Sequence, residues 1–408
     1  MELEVFSSLL RESILFFMDT IRRERLTYIG KTTFRRQGRL FGIREADRFS
    51  HLYLIGRTGT GKSTLLGIMA LQDLAAGQGL ALLDPHGDLV EELLGRISPD
   101  RRSDVLYLNA PDASATWTYN PLGGVSPERR ALAVAGLVEV FRRLWHEDWG
   151  PRLEHLMRNV LLTLLELPEA SLGDIPPLLA DKDFRSRALR HVENAEVRSF
   201  WTTEYARYSP AFRAVVNAPL QNKVGAFLSD PILKRILTGR RSSFNLRRTM
   251  DEGKVLLVNL SKGRMGEGPA SLLGSLLVSS LSLAGLSRTE LPEVDRRPFL
   301  VYLDEFQTFG TLSLATMLSE LRKYKVGMVL AHQYVGQLDH ELRDAVLGNV
   351  GTLIAFRVGA QDAPLIAREL APKFEPEDLI SLPNYHIYLR LLINGEPSRP
   401  FSAETLGW

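Results

Sequence analysis

The sequence predicts an α/β fold whose mostly parallel sheet is interrupted by an all-helical insertion. Short apolar runs bounded by polar or glycine-containing loops alternate with helix-period segments, which is the pattern of βαβ units. One such run passes through a glycine-rich loop directly into a helix at residues 56–63. Between Asn120 and Arg248 the strand pattern gives way to leucines, valines and aromatics at helical spacing. The 408 residues suffice for two to three domains at the usual ~150 residues each.

In chain order, residues 1–50 read as an N-terminal element. It holds an amphipathic helix through Ile21, a basic stretch (Arg22, Arg23, Arg25, then Arg35, Arg36, Arg39) and short strands around Tyr28 and Phe41. Buried strands are expected at Leu52–Ile55, Leu80–Leu83, Val105–Leu108, Val255–Leu260, Leu300–Leu303, Gly327–Leu330 and Thr352–Phe356. Helices are expected within Glu128–Leu144, Arg152–Glu166, Phe184–Val192, Val197–Tyr208 and Phe212–Leu228. A strand at His386–Ile393, a turn at Asn394-Gly395 and a tail to Trp408 close the chain. The expected division is an α/β core made of 51–120 and 249–395, an all-helical domain at 121–248 and a tail at 396–408.

Composition narrows the chemistry. With 45% hydrophobic and 24% charged residues the chain has the make-up of a globular protein rather than a disordered or fibrous one. The absence of cysteine removes disulfides, thiolate metal sites and cysteine nucleophiles, and fits a reducing cytosol. A formal net charge of +2 sets up no global field toward nucleic acid, so any basic surface must be local. Of the fifty basic residues forty are Arg, suited to forked phosphate contacts, although a coding bias gives the same excess. Met1-Glu2-Leu3-Glu4 lacks the positive start of a secretory signal, and Ile14–Met18 is too short to span a bilayer. The uncharged stretch Gly268–Ser287 holds six serines and reads as a buried core helix. The expected location is therefore cytoplasmic, with any attachment to the inner face of the membrane made through a partner.

The motif Gly56-Arg57-Thr58-Gly59-Thr60-Gly61-Lys62-Ser63 satisfies G-x-x-x-x-G-K-[ST] in the strand–loop–helix setting that its mechanism requires. Its backbone N–H groups, continuing through Thr64, fold around the phosphates of ATP at the positive end of the helix. Lys62 reaches the β and γ phosphates, and Ser63 ligates Mg2+. Downstream, Phe299-Leu300-Val301-Tyr302-Leu303 ends in Asp304-Glu305. Asp304 is suited to hold the metal through water and Glu305 to polarise an attacking water, which is the task of a hydrolase. A third apolar strand ends in Ala331-His332-Gln333 at the same sheet edge, where Gln333 reaches the γ-phosphate or the water. Eleven residues earlier stands Arg322, which on spacing alone is equally a solvated helix-end cation.

In this order the motifs resemble the HerA/FtsK superfamily, close to the ATPase domain of conjugative coupling proteins of type IV secretion systems. The matches are the phosphate loop, Asp84-Pro85-His86-Gly87-Asp88, Tyr119-Asn120-Pro121-Leu122, Leu260-Ser261-Lys262-Gly263, Asp304-Glu305 and Ala331-His332-Gln333, spanning roughly residues 51–395. The resemblance implies a RecA-like P-loop NTPase core and a ring, usually a homohexamer, that hydrolyses ATP at subunit interfaces and draws DNA through its centre. It implies that Arg322 serves as an arginine finger for the neighbouring subunit, with Arg264 and Arg357 in reserve.

Lys262 and Arg264 have two readings: pore-loop cations on DNA phosphates, or nucleotide contacts across the interface. A second basic patch runs from Lys234 and Arg235 through Arg240 and Arg241 to Arg247 and Arg248. The lack of aromatics interleaved with these cations favours duplex over single-stranded DNA. The sequence departs from coupling proteins in lacking their transmembrane helices, so a membrane or secretion-channel partner is expected to supply any anchoring. Two rivals remain at this level: an ATPase of the same fold that moves protein in a secretion or pilus system, and a docking ring that links a nucleoprotein complex to a channel. The complete hydrolytic set argues against the ring, and the lack of an LSGGQ-like segment argues against an ABC-type transporter.

Overall fold

The apolar runs become thirteen strands in a computed structural model that describes residues 25–33 and 38–407. The helix expected through Ile21, with Arg22, Arg23, Arg35 and Arg36, lies outside these residues. In chain order the strands are β1 (Leu26–Thr32), β2 (Leu40–Arg44), β3 (Leu52–Ile55), β4 (Gly79–Asp84), β5 (Val105–Asn109), β6 (Val255–Asn259) and β7 (Phe299–Leu303). Then follow β8 (Val326–His332), β9 (Thr352–Ala355), β10 (His386–Arg390), β11 (Leu392–Ile393), β12 (Glu396–Pro397) and β13 (Phe401–Thr405).

Eleven of them form one sheet in the order β2-β1-β13-β10-β9-β3-β8-β7-β4-β6-β5. From β9 to β5 every pairing is parallel, and from β9 to β2 every pairing is antiparallel. The expected strand at His386–Ile393 is two strands, because β11 leaves the sheet to pair with β12 across Asn394-Gly395. Both turn residues have positive φ (53° and 80°), as a tight two-residue hairpin requires. Strand β13 was not expected. Its short mixed run Phe401-Ser402-Ala403-Glu404-Thr405 has little strand propensity, and the ladders to β1 and β10 make it a strand.

Successive residues of the central strands serve opposite faces. Leu52 and Leu54 pack with Leu65, Leu66 and Met69 of the helix Lys62–Ala75. Tyr53 and Ile55 pack on the other face with residues of the helices Arg130–Leu144 and Glu267–Ser287. Because both faces are covered, the strands read as continuous apolar runs. The stretch Glu267–Glu290 is long and apolar enough to cross a membrane, yet 72% of its most apolar window is buried inside the fold. Its serines serve close packing. A Cβ on Gly136 would come within 2.5 Å of Ser279 Oγ, and the Tyr119 hydroxyl donates to Leu276 O at 2.8 Å.

Among the described residues no strand falls between Ala110 and Lys254. Asn120 closes the base of this helical segment: its Nδ2 donates to Ala170 O (2.7 Å) and Arg240 O (2.9 Å). The Tyr119-Asn120-Pro121-Leu122 motif thus joins the segment's entry to its exit.

Arg48, with its side chain 2% exposed, ties three elements together under the sheet. Its guanidinium donates to Asp73 Oδ2 (2.9 Å) on the helix Lys62–Ala75, to Thr27 Oγ1 (2.8 Å) on β1 and to the Tyr302 hydroxyl on β7. Burial lowers the Arg48 pKa, but Asp73 and Tyr302 outweigh that and raise it overall, so the guanidinium stays charged. Arg48→Ala would strand a buried Asp73, and denaturant unfolding should show a loss of about 3–5 kcal/mol. The pair Arg48→Met with Asp73→Leu should recover much of that loss. A single variant as stable as wild type would remove this contact from the framework.

Candidate nucleotide-binding site

Strand β3 ends at Ile55, and six residues later the helix Lys62–Ala75 begins. Glycine is required at both ends of the loop between them. A Cβ on Gly56 would come within 2.5 Å of Phe356 Cβ, and Gly61 has φ 114° with the Tyr385 ring against it. Within the loop, Thr60 Oγ1 donates to Arg57 O (2.7 Å) and Lys62 Nζ donates to the same carbonyl (3.2 Å). The Lys62 ammonium is therefore folded onto the loop and has a neutral partner it can exchange for a phosphate oxygen. Burial lowers its pKa, while Glu305 and Asp304 oppose that shift. Thr58, Gly59 and Ser63 are exposed and Thr64 is half-buried.

The sheet carries β8 beside β3 and β7 beside β8, all parallel. The residues that follow these strands accordingly meet at one edge. Ser63 Oγ donates to Asp304 Oδ2 at 2.9 Å. Glu305 sits in the left-handed region (φ 46°), a conformation that a non-glycine residue holds only when its surroundings impose it. Its carboxylate is gripped from both sides: Gln333 Nε2 donates to Oε1 (2.9 Å) and Gln307 Nε2 donates to Oε2 (2.7 Å).

Burial pushes the Asp304 carboxyl up to about 6. Asp84 and Glu305 add repulsion, and the Ser63 hydroxyl and Lys62 oppose it. Asp84 itself accepts the amides of His86, Leu89 and Val90. The Asp84-Pro85-His86-Gly87-Asp88 motif therefore closes a turn and caps the helix Asp88–Arg96. The next residue back from Gln333, His332, is a core residue: its Nδ1 meets the Tyr53 hydroxyl at 2.9 Å. Burial and nearby Lys62 push its pKa down to about 3, so it stays neutral.

A magnesium ion fits this arrangement. One hydroxyl and one carboxylate lie in contact at the mouth of the loop, and the buried carboxylates hold negative charge in excess of Lys62. Among the described residues no cluster of three or more acidic or histidine side chains could hold a metal unaided. That suits Mg2+, which takes few protein ligands and fills its shell with phosphate oxygens and water.

The fold brings Gly56–Thr64, Asp304, Glu305 and Gln333 together and keeps three other expected residues apart. Arg322 lies exposed on the turn Leu321–Tyr324 before β8, at the opposite sheet edge. The seven residues of β8 put it roughly 20 Å from its own loop. Lys262 and Arg264 occupy the turn Lys262–Met265 just beyond β6, at the loop's edge of the sheet. They stand four strand positions from β3, or roughly 19 Å. Arg357 borders the loop instead. Its carbonyl accepts the Arg57 amide (2.8 Å) and its guanidinium donates to Leu382 O (3.0 Å) and Asn384 Oδ1 (2.9 Å). Sequence reasoning missed Gln307 and Tyr385, which lie in irregular turns and carry no periodic or motif signal. Much of the Lys234–Arg248 patch is internally paired: Arg240 with Asp174, Arg241 with Glu169, Arg247 with Asp251 and Arg248 with Glu252.

Comparisons with known proteins come to the same region of fold space. Residues 42–371 match the family model of the type IV secretion-system coupling protein DNA-binding domain. Comparison with curated protein sequences gives no match. Among solved structures, the plasmid coupling protein TrwB in complex with the non-hydrolysable GTP analogue GDPNP superposes with a TM-score of 0.65 at 18% identity, covering 90% of this chain and 87% of that one. TrwB in complex with ADP and Mg2+ gives 0.65 at 18% identity, covering 91% and 88%. VirB4 of Thermoanaerobacter pseudethanolicus gives 0.62 at 13% identity, covering 93% and 96%. At these identities the likeness is one of fold.

The raised Asp304 has a consequence for stability. Burial raises its carboxyl to about 6 in the fold from the ordinary 3.8, so between those pH values the folded chain binds more protons than the unfolded one. Its stabilising share is full below about 3.8 and is lost as pH rises through about 6. Without nucleotide, Asp304→Asn should melt about 2–4 °C above wild type at pH 8, with the gap closing toward pH 4. It should also lose Mg2+-dependent nucleotide binding. Calorimetry at pH 4, 6 and 8 checks this, and a lower melting point at pH 8 would contradict it.

Proposed function

We propose, from the premise that this chain belongs to the family of the type IV secretion-system coupling protein DNA-binding domain, that it is an ATP-driven motor for DNA. The observation that carries the reading is the contact of Ser63 with Asp304 at the phosphate loop, with Glu305 held beside it between two amides. A binding-only scaffold has no use for that placement. The complexes of TrwB with ADP and Mg2+ and with a GTP analogue support a nucleotide in the equivalent loop.

The loop amides from Gly56 to Thr64 cradle the phosphates, and Lys62 exchanges the Arg57 carbonyl for β and γ oxygens. Ser63 and Asp304 hold Mg2+, which when bound neutralises charge on the phosphates. Glu305 orients the attacking water and takes its proton. Gln333, bonded to Glu305, is placed to turn toward the γ-phosphate and report its presence.

Arg322 supports a ring with shared sites. It is exposed and lies at the edge away from its own loop, so a transition-state contact from it has to be made to another copy. Such a finger is worth ~10³-fold or more in rate. A homohexamer is the assembly this reading takes. Lys262 and Arg264 lie at the nucleotide edge but well to the side of the loop, which favours DNA phosphates over their own nucleotide. Binding through them is independent of sequence and weakens steeply with salt. The motor works at the cytoplasmic face of a membrane channel that a partner supplies.

Glu305→Gln should bind ATP and Mg2+ with wild-type affinity and lose at least ~10²-fold in turnover. Wild-type turnover should rise on adding duplex DNA and stay level with unfolded protein. Stimulation by protein alone would transfer the chain to the protein-moving class. Mixing Arg322→Ala with Lys62→Ala subunits should restore part of the hydrolysis that each lacks, measured across mixing ratios. Full-rate hydrolysis by a dilute, demonstrated monomer would remove the shared site.

A further inference from the structure

The two amides that grip Glu305 are not equivalent. Gln333 stands at the end of β8 and, in the proposed cycle, has to release Glu305 in order to reach the γ-phosphate. Gln307 lies two residues beyond Glu305 on the short turn Phe306–Thr308 and donates to Oε2 at 2.7 Å. When Gln333 leaves, Gln307 is the remaining side chain that fixes the carboxylate. An amide suits the position, because it supplies a donor without placing further charge beside Lys62 and Asp304.

That turn is anchored from two sides. Phe306 and Phe309 are fully buried, and Ser271 Oγ, on the helix Glu267–Ser287, donates to Thr308 O at 2.8 Å. From the helical segment comes Arg143, in the last turn of the helix Arg130–Leu144, whose Nη2 donates to the Gln307 carbonyl. The guanidinium also lies close to Gly310, where a Cβ would come within 3.3 Å of Nη1. A continuous chain of contacts thus runs from the inserted helices through Arg143, the backbone of Gln307 and its amide to Glu305.

We propose that Gln307 is a positioning residue for Glu305 and that Arg143 sets where Gln307 stands, so that displacement of the inserted helices changes the turnover of the site. The proposal rests on the reading of Glu305 as the residue that activates water. The inserted helices pack on the sheet face opposite the helix Lys62–Ala75, and a cargo or partner bound there would act on hydrolysis by this route without changing how tightly nucleotide is held.

The test uses the full chain with ATP, Mg2+ and duplex DNA, and the non-hydrolysable analogue ADPNP as binding probe. Gln307→Leu keeps the volume and removes the donor. It should lower kcat by about 10–100-fold, the size of effect that misplacing a reacting group produces. KM and ADPNP affinity should stay within about twofold. Gln307→Ser, should the leucine variant fail to fold, carries the same expectation. Arg143→Met should lower kcat by a smaller factor, and Arg143→Lys, which still donates to the carbonyl, should recover most of it. The double variant should be no slower than Gln307→Leu alone, because the two residues act in one chain.

Unchanged kcat in the Gln307 variants, or ADPNP affinity falling in step with kcat, would overturn the positioning role. Losses that multiply in the double variant would overturn the Arg143 route. A wild-type chain that hydrolyses no ATP with or without DNA would instead overturn the reading of Glu305 beneath it.

Discussion

The parallel register of β3, β8 and β7 is the constraint from which the rest of the site follows. Ile55 lies opposite His332 and Leu303 opposite Leu330, so Gly56, Gln333 and Asp304 leave the sheet at one edge within reach of each other. A slip of one residue would move every side chain of a strand to the opposite apolar layer and mismatch the packing of both. The central strands are buried on both faces, and the register is therefore held by the two apolar layers that enclose them. Arg48 adds a polar tie: through Asp73 and Tyr302 it links the helix that begins at Lys62 to the strand that ends at Leu303, directly before Asp304.

Carboxylates outnumber the cation at that edge. Asp84, Asp304 and Glu305 gather near Lys62, and Asp304 is raised by burial and by its neighbours. Asp84 spends its oxygens on the amides that cap a helix, and Glu305 is satisfied by two glutamines. Asp304 keeps capacity and has Ser63 beside it, which is the pairing that a hard cation bearing phosphates would take. Lys62 rests on the Arg57 carbonyl and Glu305 on the Gln333 and Gln307 amides.

The helical segment and the sheet are parts of one packed body rather than neighbours in sequence only. One apolar cluster runs from the inner face of the sheet through the helices Arg130–Leu144 and Arg152 onward, and Asn120 fastens the segment where it leaves and rejoins the core. The helix Glu267–Ser287 supplies the surface on which the two meet, with Gly136 and the serines allowing close approach. Movement within the segment therefore has a mechanical route to the turn behind Glu305.

Much of the fold and the centre of the site are readable in the sequence, for physical reasons specific to them. Strands buried on both faces must be apolar throughout, so β3, β4 and β6 to β9 announce themselves as short runs. A loop that presents amides to phosphate must be glycine-rich at fixed offsets, so Gly56–Ser63 does as well. Asp304, Glu305 and Gln333 follow because they terminate such strands. Other features carry no such mark: β13 owes its conformation to the ladders on either side, and Gln307, Arg143 and Tyr385 owe their positions to irregular turns that distant segments hold in place. The sequence by itself determined where the central strands end and which polar residues stand there, because a run buried on both faces must be apolar and its first polar residues mark its limit. Only the tertiary structure decided that Arg322 faces away from its own loop and that a glutamine two residues past Glu305 holds it. Those relations depend on which edge of the sheet a turn reaches and on what packs behind it.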